Sequence, residues 1–186
     1  MWSTPRTWVV GEIVTAGIMN QYVRDAMSAL NPDAATALPG SPTHGDFAIL
    51  TDNPTNPTWL WRLRYNANST SAYKWENAGS VAMVVGSTSA TLPNAGDYVI
   101  RAKGYAGNGG TTTGADLTTT LVVGGTTVDT SIANAPSSAA SGTGNRGSSL
   151  AILAARVAGV TAGATAVITG AATNSPVIEV VPARLS

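Results

Sequence analysis

Aromatic side chains are concentrated in the first part of this chain of 186 residues. All five tryptophans and the only phenylalanine precede residue 80. Behind them, short runs of Val, Ile, Thr and Ala are separated by Gly- and Ser-rich segments. Short β-branched runs bounded by turn residues at such spacing are typical of a β-sandwich. The pattern therefore predicts a mainly β chain with a domain boundary between residues 79 and 80.

Residues 80–186 are predicted to form the C-terminal β-sandwich, with six to eight strands. Candidate strands are residues 81–85, 97–105, 117–123, 126–132, 148–157, 165–169 and 175–182. The clearest local signal is Gly124-Gly125 between two β-branched runs, which is typical of a tight hairpin turn. This domain is poor in large apolar residues, and Val, Ile and Ala bury less area than Phe and Leu. We therefore expect one sheet face to be covered by other copies of the chain.

Residues 46–79 are predicted to form a small antiparallel module. Its candidate strands are residues 47–51, 58–65 and 72–76. In the second of these, Trp59, Trp61, Leu63 and Tyr65 alternate with more polar positions, which is the period of a strand with one buried face. Three strands are near the minimum for an independent sheet.

Residues 1–45 are predicted to hold an extended arm, one helix and a linker. The helix is expected over residues 15–30, with Thr15 as its N-cap. Apolar residues spaced four apart then form one stripe. So short a helix is marginal alone in water, so the stripe must pack on its own domain, on copies of itself or on a host protein. The predicted attachment or oligomer interface comprises Trp8, Ile18, Met19, Tyr22, Val23 and Leu30.

The composition argues against several function classes. The chain has no cysteine, one histidine, and ten basic against ten acidic residues. It therefore has no disulfide, no thiolate nucleophile and no site that needs two imidazoles. Zero net charge argues against binding to nucleic acid or to an anionic membrane. No run of about 18 apolar residues is present, so we expect no membrane insertion.

We predict no catalytic residue, metal ligand or cofactor, and hence no enzyme. His44 and Asp46 are near each other in sequence, as an acid–base pair could be, but they lie in a Pro- and Gly-rich loop without an accompanying nucleophile motif. The carboxylates show no spacing that would bring two of them together, as a glycosidase requires.

The aromatic residues of the middle module allow two interpretations. Trp59, Trp61, Tyr73 and Trp75 could form a platform that stacks on a glycan. The alternative, which we favour, is the small hydrophobic core that a three-stranded module needs.

Two segments resemble a known group of proteins. Residues 4–16 (TPRTWVVGEIVTA), followed by MN at 19–20 and VRD at 23–25, resemble an N-terminal signature of bacteriophage virion proteins usually described as minor tail or tail-fibre proteins, particularly in phages of actinobacteria. Residues 61–66 (WRLRYN) and 72–76 (AYKWE) resemble the segment that follows it there. Residues 92–100 (LPNAGDYVI) resemble the start of a strand in trimeric jelly-roll heads of phage fibres and of C1q/TNF-like domains.

The resemblance implies a virion structural protein whose C-terminal sandwich is a jelly-roll-like head, assembled as a homotrimer. Expected partners are other virion proteins, of the tail or the capsid, and a glycan of the host surface. The expected location is the virion surface, after assembly in the cytoplasm of the bacterial host. A capsid decoration or head-fibre protein and a carbohydrate-binding adhesin module stay open as alternatives.

Overall fold

The computed structural model describes residues 9–24, 27, 32–107, 115–135, 148–170 and 174–186. The chain divides into two compact units, one comprising Met1–Val81 with Ser186 and the other Ala82–Leu185. Within the described residues strands predominate, which confirms the predicted mainly β class.

The helical part of the first unit is shorter and less regular than predicted. An α-helix, α1, spans Ala16–Met19, and a π-helix follows over Asn20–Arg24. The predicted N-cap is confirmed, because the Thr15 hydroxyl accepts a hydrogen bond from the backbone N–H of Ile18 at 3.3 Å. The rest of the predicted helix lies outside the described residues, apart from a helical Met27.

Four strands form the sheet of the first unit. They are β1 (Ala34–Ala35), β2 (Phe47–Leu50), β3 (Trp61–Tyr65) and β4 (Trp75–Asn77), in that spatial order. The pairs β2–β3 and β3–β4 are antiparallel, as predicted for the middle module. The short β1 pairs in parallel with β2 and lies in a segment that had been predicted as linker.

The core of the first unit follows the predicted alternation along residues 59–65. Trp59, Trp61 and Leu63 are buried, while the residues between them are exposed. The rings of Trp59 and Trp61 are 4.2 Å apart between centroids, and the Tyr65 ring meets Trp75 edge-on at 5.3 Å. Large aromatic rings, which bury much apolar area each, are therefore a major part of this core.

A hydrogen-bonded turn leads into this core. The Asp52 carboxylate accepts hydrogen bonds from the Thr58 hydroxyl at 2.7 Å and from the Thr58 backbone N–H at 3.0 Å. These bonds from Thr58, together with one from Thr51, lower the pKa of Asp52 to about 2, because they stabilise the ionised carboxylate. The ionised carboxylate therefore links the two ends of this turn at neutral pH.

Eight strands of the second unit lie within the described residues. They are β5 (Met83–Val85), β6 (Ser89–Thr91), β7 (Gly96–Gly107), β8 (Ala115–Val123), β9 (Thr126–Ala135), β10 (Ser148–Val160), β11 (Thr165–Gly170) and β12 (Asn174–Leu185). Each of the seven candidate strands predicted for this region corresponds to a different one of these eight strands. The strand missed was β6, whose three residues stand between Gly86 and Pro93 and had the composition of a turn.

Among themselves, the eight strands of the second unit pair in two antiparallel sets of four, which we call sheet I and sheet II. Sheet I has the order β5–β12–β7–β10, and sheet II has the order β6–β11–β8–β9. Only the β8–β9 hairpin joins neighbours within one sheet, and every other connection crosses to the opposite sheet. This is the strand order of a jelly roll, so the predicted jelly-roll-like sandwich is confirmed. The hairpin turn was also predicted correctly: Gly124 and Gly125 have φ of 55° and 83°.

The interior of the sandwich is lined by alternate residues of both sheets. On β7, Tyr98, Ile100 and Ala102 are buried, and Leu121 and Ile168 of sheet II are buried as well. The residues between them point away from the core. These outward positions define two outer faces, which we call the sheet I face and the sheet II face.

Candidate assembly surfaces

Those predicted attachment residues that the structure describes lie in residues 9–24. This N-terminal segment, which includes α1 and the π-helix and is called the arm below, buries none of its side chains. Met19 and Val23 are each 45% exposed, and Ile18 and Tyr22 are half-buried. Trp8 and Leu30 lie outside the described residues. Further exposed apolar side chains on this segment are Val9, Val10, Ile13 and Val14, and Met27 just beyond it is exposed as well. Several exposed apolar side chains on one short segment are typical of a site that binds another protein.

The predicted aromatic platform has few ring faces available. Trp59, Trp61 and Trp75 are 7%, 0% and 3% exposed, and Tyr73 is half-buried. A sugar ring stacks only on an exposed aromatic face, so the three tryptophans serve as core and do not form the predicted platform. Their burial agrees with the interpretation favoured above, in which these tryptophans form the small hydrophobic core of the module.

Asp46, which was considered above as one half of an acid–base pair with His44, stabilises a turn of its loop. The carboxylate of Asp46 accepts a hydrogen bond from the backbone N–H of Thr43 at 2.8 Å, which closes a turn around the exposed His44. Among the described residues, no group of three or more His, Asp or Glu side chains could hold a metal ion. No helix in the described part of the chain is long and apolar enough to cross a membrane.

The sheet I face combines exposed apolar side chains with charges. Its large apolar members are Val84 of β5, Tyr105 of β7, and Leu150 and Ile152 of β10, which are 44–66% exposed. Cα pairing places Leu150 beside Tyr105, and Ile152 beside Lys103, so these side chains are neighbours across β7 and β10. Tyr105, Leu150 and Ile152 therefore form an apolar cluster, whereas Val84 lies singly on the far side of β12.

Charged side chains lie next to this apolar cluster. Arg101 and Lys103 follow one another on the outward side of β7, and Glu179 of β12 is the Cα partner of Arg101. Arg156 of β10 is the Cα partner of Val99, one outward position further along β7. A shallow cleft of about 140 Å³ is lined by Arg101, Ala102, Lys103, Ile152, Val177 and Glu179.

The sheet II face is covered by hydroxyl groups. Its outward Ser and Thr residues are Ser89, Thr91, Thr118, Thr120, Thr127, Thr130, Thr165 and Thr169. The hydroxyl oxygens of Thr120 and Thr169 are 2.6 Å apart and hydrogen-bonded across β8 and β11. Among the outward side chains that the structure describes on this face, none is charged. Ile132 is the one large apolar side chain there that is exposed.

A covered sheet face was predicted, but its residues were not identified. Two signals were available. Residues 150–153 are all apolar, at odd and at even positions alike. Because neighbouring side chains of a strand point to opposite faces, at least one of them must point outward. In residues 98–105 the strand alternation puts Arg101, Lys103 and Tyr105 on the side opposite the buried Tyr98.

Comparison with known proteins adds no assignment. No protein-family model matches the chain, and no curated protein matches it. The function is therefore argued from the arm and from the two faces of the sandwich.

Proposed function

We propose that the chain is a structural protein of a bacteriophage virion, exposed on the particle surface as a minor tail or tail-fibre protein. The observation that carries the proposal is the arm: residues 9–24 carry the signature-like sequence and bury none of their side chains, although many are apolar. Such a segment is suited to insertion into a groove on another protein.

The two apolar surfaces have separate roles in this proposal. The arm attaches the chain to other virion proteins. The sheet I face is covered by further copies of the chain, which gives the homotrimeric head. The cluster of Tyr105, Leu150 and Ile152 supports this second role, because large exposed apolar patches on soluble domains mark interaction sites.

Low charge supports an assembly role. With 20 charged residues in 186, contacts between chains rest mainly on apolar burial and shape, with little contribution from salt-dependent steering. The proposal includes no catalytic residue and no nucleic-acid contact. A capsid decoration or head-fibre protein would need the same attachment segment and the same covered face. Only its location on the particle would distinguish it from a tail protein.

Location on the particle tests the proposal. An antibody against the jelly-roll unit, used for immunogold electron microscopy on virions of the phage that encodes the chain, is expected to label the tail. Label on the capsid would replace the tail assignment with the decoration or head-fibre alternative. Absence of the chain from purified virions, measured by mass spectrometry, would overturn the virion role altogether.

A further inference from the structure

The sheet I face has more positive than negative side chains. Arg101, Lys103 and Arg156 are exposed on it and share it with the carboxylate of Glu179. Asp97 and Arg184 also occupy outward positions of this face, where their charges are 4.0 Å apart and offset each other. Among the described residues, no ion pair joins any of the first four side chains to another group. Each chain therefore brings a surplus of two positive charges to this face.

The other described carboxylates of the second unit already have partners. The Asp97 carboxylate accepts a hydrogen bond from the backbone N–H of Gly159 at 3.0 Å and lies 4.0 Å from the Arg184 guanidinium. The Asp129 carboxylate accepts hydrogen bonds from the backbone N–H groups of Ala154 and Thr130. From its second unit, a copy placed on the sheet I face therefore offers Glu179 and no other described carboxylate that lacks a hydrogen bond.

Covering this face takes the cations out of water. Arg101 and Lys103 lie between the apolar Val99 and Tyr105 on β7, so copies that bury the apolar cluster also surround the charges. A cation that loses its water without gaining a counter-charge is strongly unfavourable. One Glu179 per chain neutralises one cation per chain, and two are left over.

The cleft beside Arg101 and Lys103 is suited to an oxyanion. The two cations are two residues apart on one strand, so their side chains emerge from the same face about 7 Å apart. A planar guanidinium and a flexible ammonium together provide several N–H donors for tetrahedral oxygens. Ile152, Val177 and Glu179 also line the cleft. The two aliphatic side chains exclude water when a copy covers it, and the Glu179 carboxylate offsets the charge of one of the two cations.

We propose that the assembled sheet I face binds a multivalent oxyanion, of the phosphate or sulfate class, between Arg101 and Lys103. This inference rests on the proposed assembly of copies through that face. The covered cleft of the assembly binds the anion more tightly than the open cleft of the isolated chain. The anion therefore shifts the equilibrium towards the assembly.

The test measures the oligomeric state of the full-length chain against its concentration in sodium phosphate and in sodium chloride of equal ionic strength. Phosphate at about ten times its Kd is expected to strengthen association about tenfold for each anion bound. Because phosphate also favours association of any protein by exclusion from its surface, variants must separate the two effects. Lys103→Gln should lose most of the response, whereas Arg64→Gln, which changes an exposed strand cation of the first unit, should keep all of it.

Glu179→Gln provides the opposite change. It raises the surplus to three positive charges per chain, so it should weaken association in chloride and enlarge the gain in phosphate. An assembly that is indifferent to phosphate, or a Lys103→Gln variant that responds like the parent chain, would overturn the anion site and leave the oligomer standing. A chain that is monomeric in every buffer would overturn the oligomer, and the anion site with it.

Discussion

Ile132 and Ile152 lie at matched places on the two outer faces of the jelly roll. Each belongs to a strand paired on one side only, β9 and β10 respectively, and each is 66% exposed. Their neighbours differ. Ile132 pairs with Thr118 on the hydroxyl-covered sheet II face, whereas Ile152 pairs with Lys103 next to the pair formed by Leu150 and Tyr105.

This difference shows that exposure of a single residue is a poor guide to an interface. Isolated apolar side chains are common on protein surfaces and need no partner. A cluster of them, with charges at its margin, resembles an interface in which an apolar centre excludes water from neighbouring polar contacts. We therefore expect sheet I to face other copies and sheet II to face solvent.

The largest expected effect separates the inside of sheet I from its outer face. Leu153 is 1% exposed, and Leu150, three residues earlier on the same strand, is 44% exposed. Leu153→Ala should lower the free energy of unfolding by about 2–5 kcal/mol, because it leaves a cavity in the core. Leu150→Ala should lower it by less than about 1 kcal/mol. Urea unfolding of both variants, at concentrations where the parent chain is dissociated, makes the measurement.

A large loss of unfolding free energy in Leu150→Ala would change the contrast drawn between the inside of sheet I and its outer face. A loss of several kcal/mol in the dissociated chain would mean that Leu150 belongs to the fold of the single chain, and the sheet I face would then contain fewer residues available to a partner.

The matched isoleucines test the comparison directly. Ile152→Lys places a cation beside Lys103 on the proposed contact face, and it should weaken association about tenfold or more. Ile132→Lys makes the same substitution on the sheet II face, where it should leave association unchanged. Analytical ultracentrifugation of both variants measures the effect. Equal weakening by the two substitutions would show that both faces are covered, or that charge acts without regard to position.

Much of the fold could be predicted because the pattern of each strand is local. The alternation of Trp59, Trp61 and Leu63 predicted one buried face, and Gly124-Gly125 predicted the hairpin between β8 and β9. The π-helix after Met19 could not be predicted, because an apolar spacing of four residues does not distinguish a regular helix from one with an altered turn.

The surfaces were harder to predict than the strands. Whether Leu150 or Leu153 points inward depends on the register between β10 and β7, which pairs residues about 50 positions apart in the sequence. A shift of one residue exchanges the two faces of a strand. The composition therefore led us to expect a covered face, which stays a prediction, and the register of β7 with β10 and β12 shows which residues form the outer face of sheet I.

A smaller effect is expected where the edges of the two sheets meet. The Asp129 carboxylate of β9 accepts the backbone N–H of Ala154 in β10 at 2.7 Å, next to a register shift between Leu121 and Val122. Asp129→Asn keeps the shape of the side chain but weakens this charge-assisted bond, so it should cost about 1 kcal/mol of unfolding free energy. Asp33→Asn, a change at an exposed aspartate of the first unit, is the control and should cost nothing measurable. An equal cost for both would show that net charge, and not the bond to Ala154, is responsible.

The smallest effect concerns the hydroxyl pair on the sheet II face. Thr120→Val removes one member of the Thr120–Thr169 pair and keeps the branched shape that a strand favours. The remaining Thr169 hydroxyl is exposed and bonds to water, so the unfolding free energy should change by no more than about 0.5 kcal/mol. Association should not change, because this face stays in solvent; thermal unfolding and ultracentrifugation measure the two quantities. A Thr120→Val variant that associates more strongly than the parent would show that its hydroxyl coat keeps the sheet II face apart from other copies, and the two faces would then differ by active exclusion as well as by attraction.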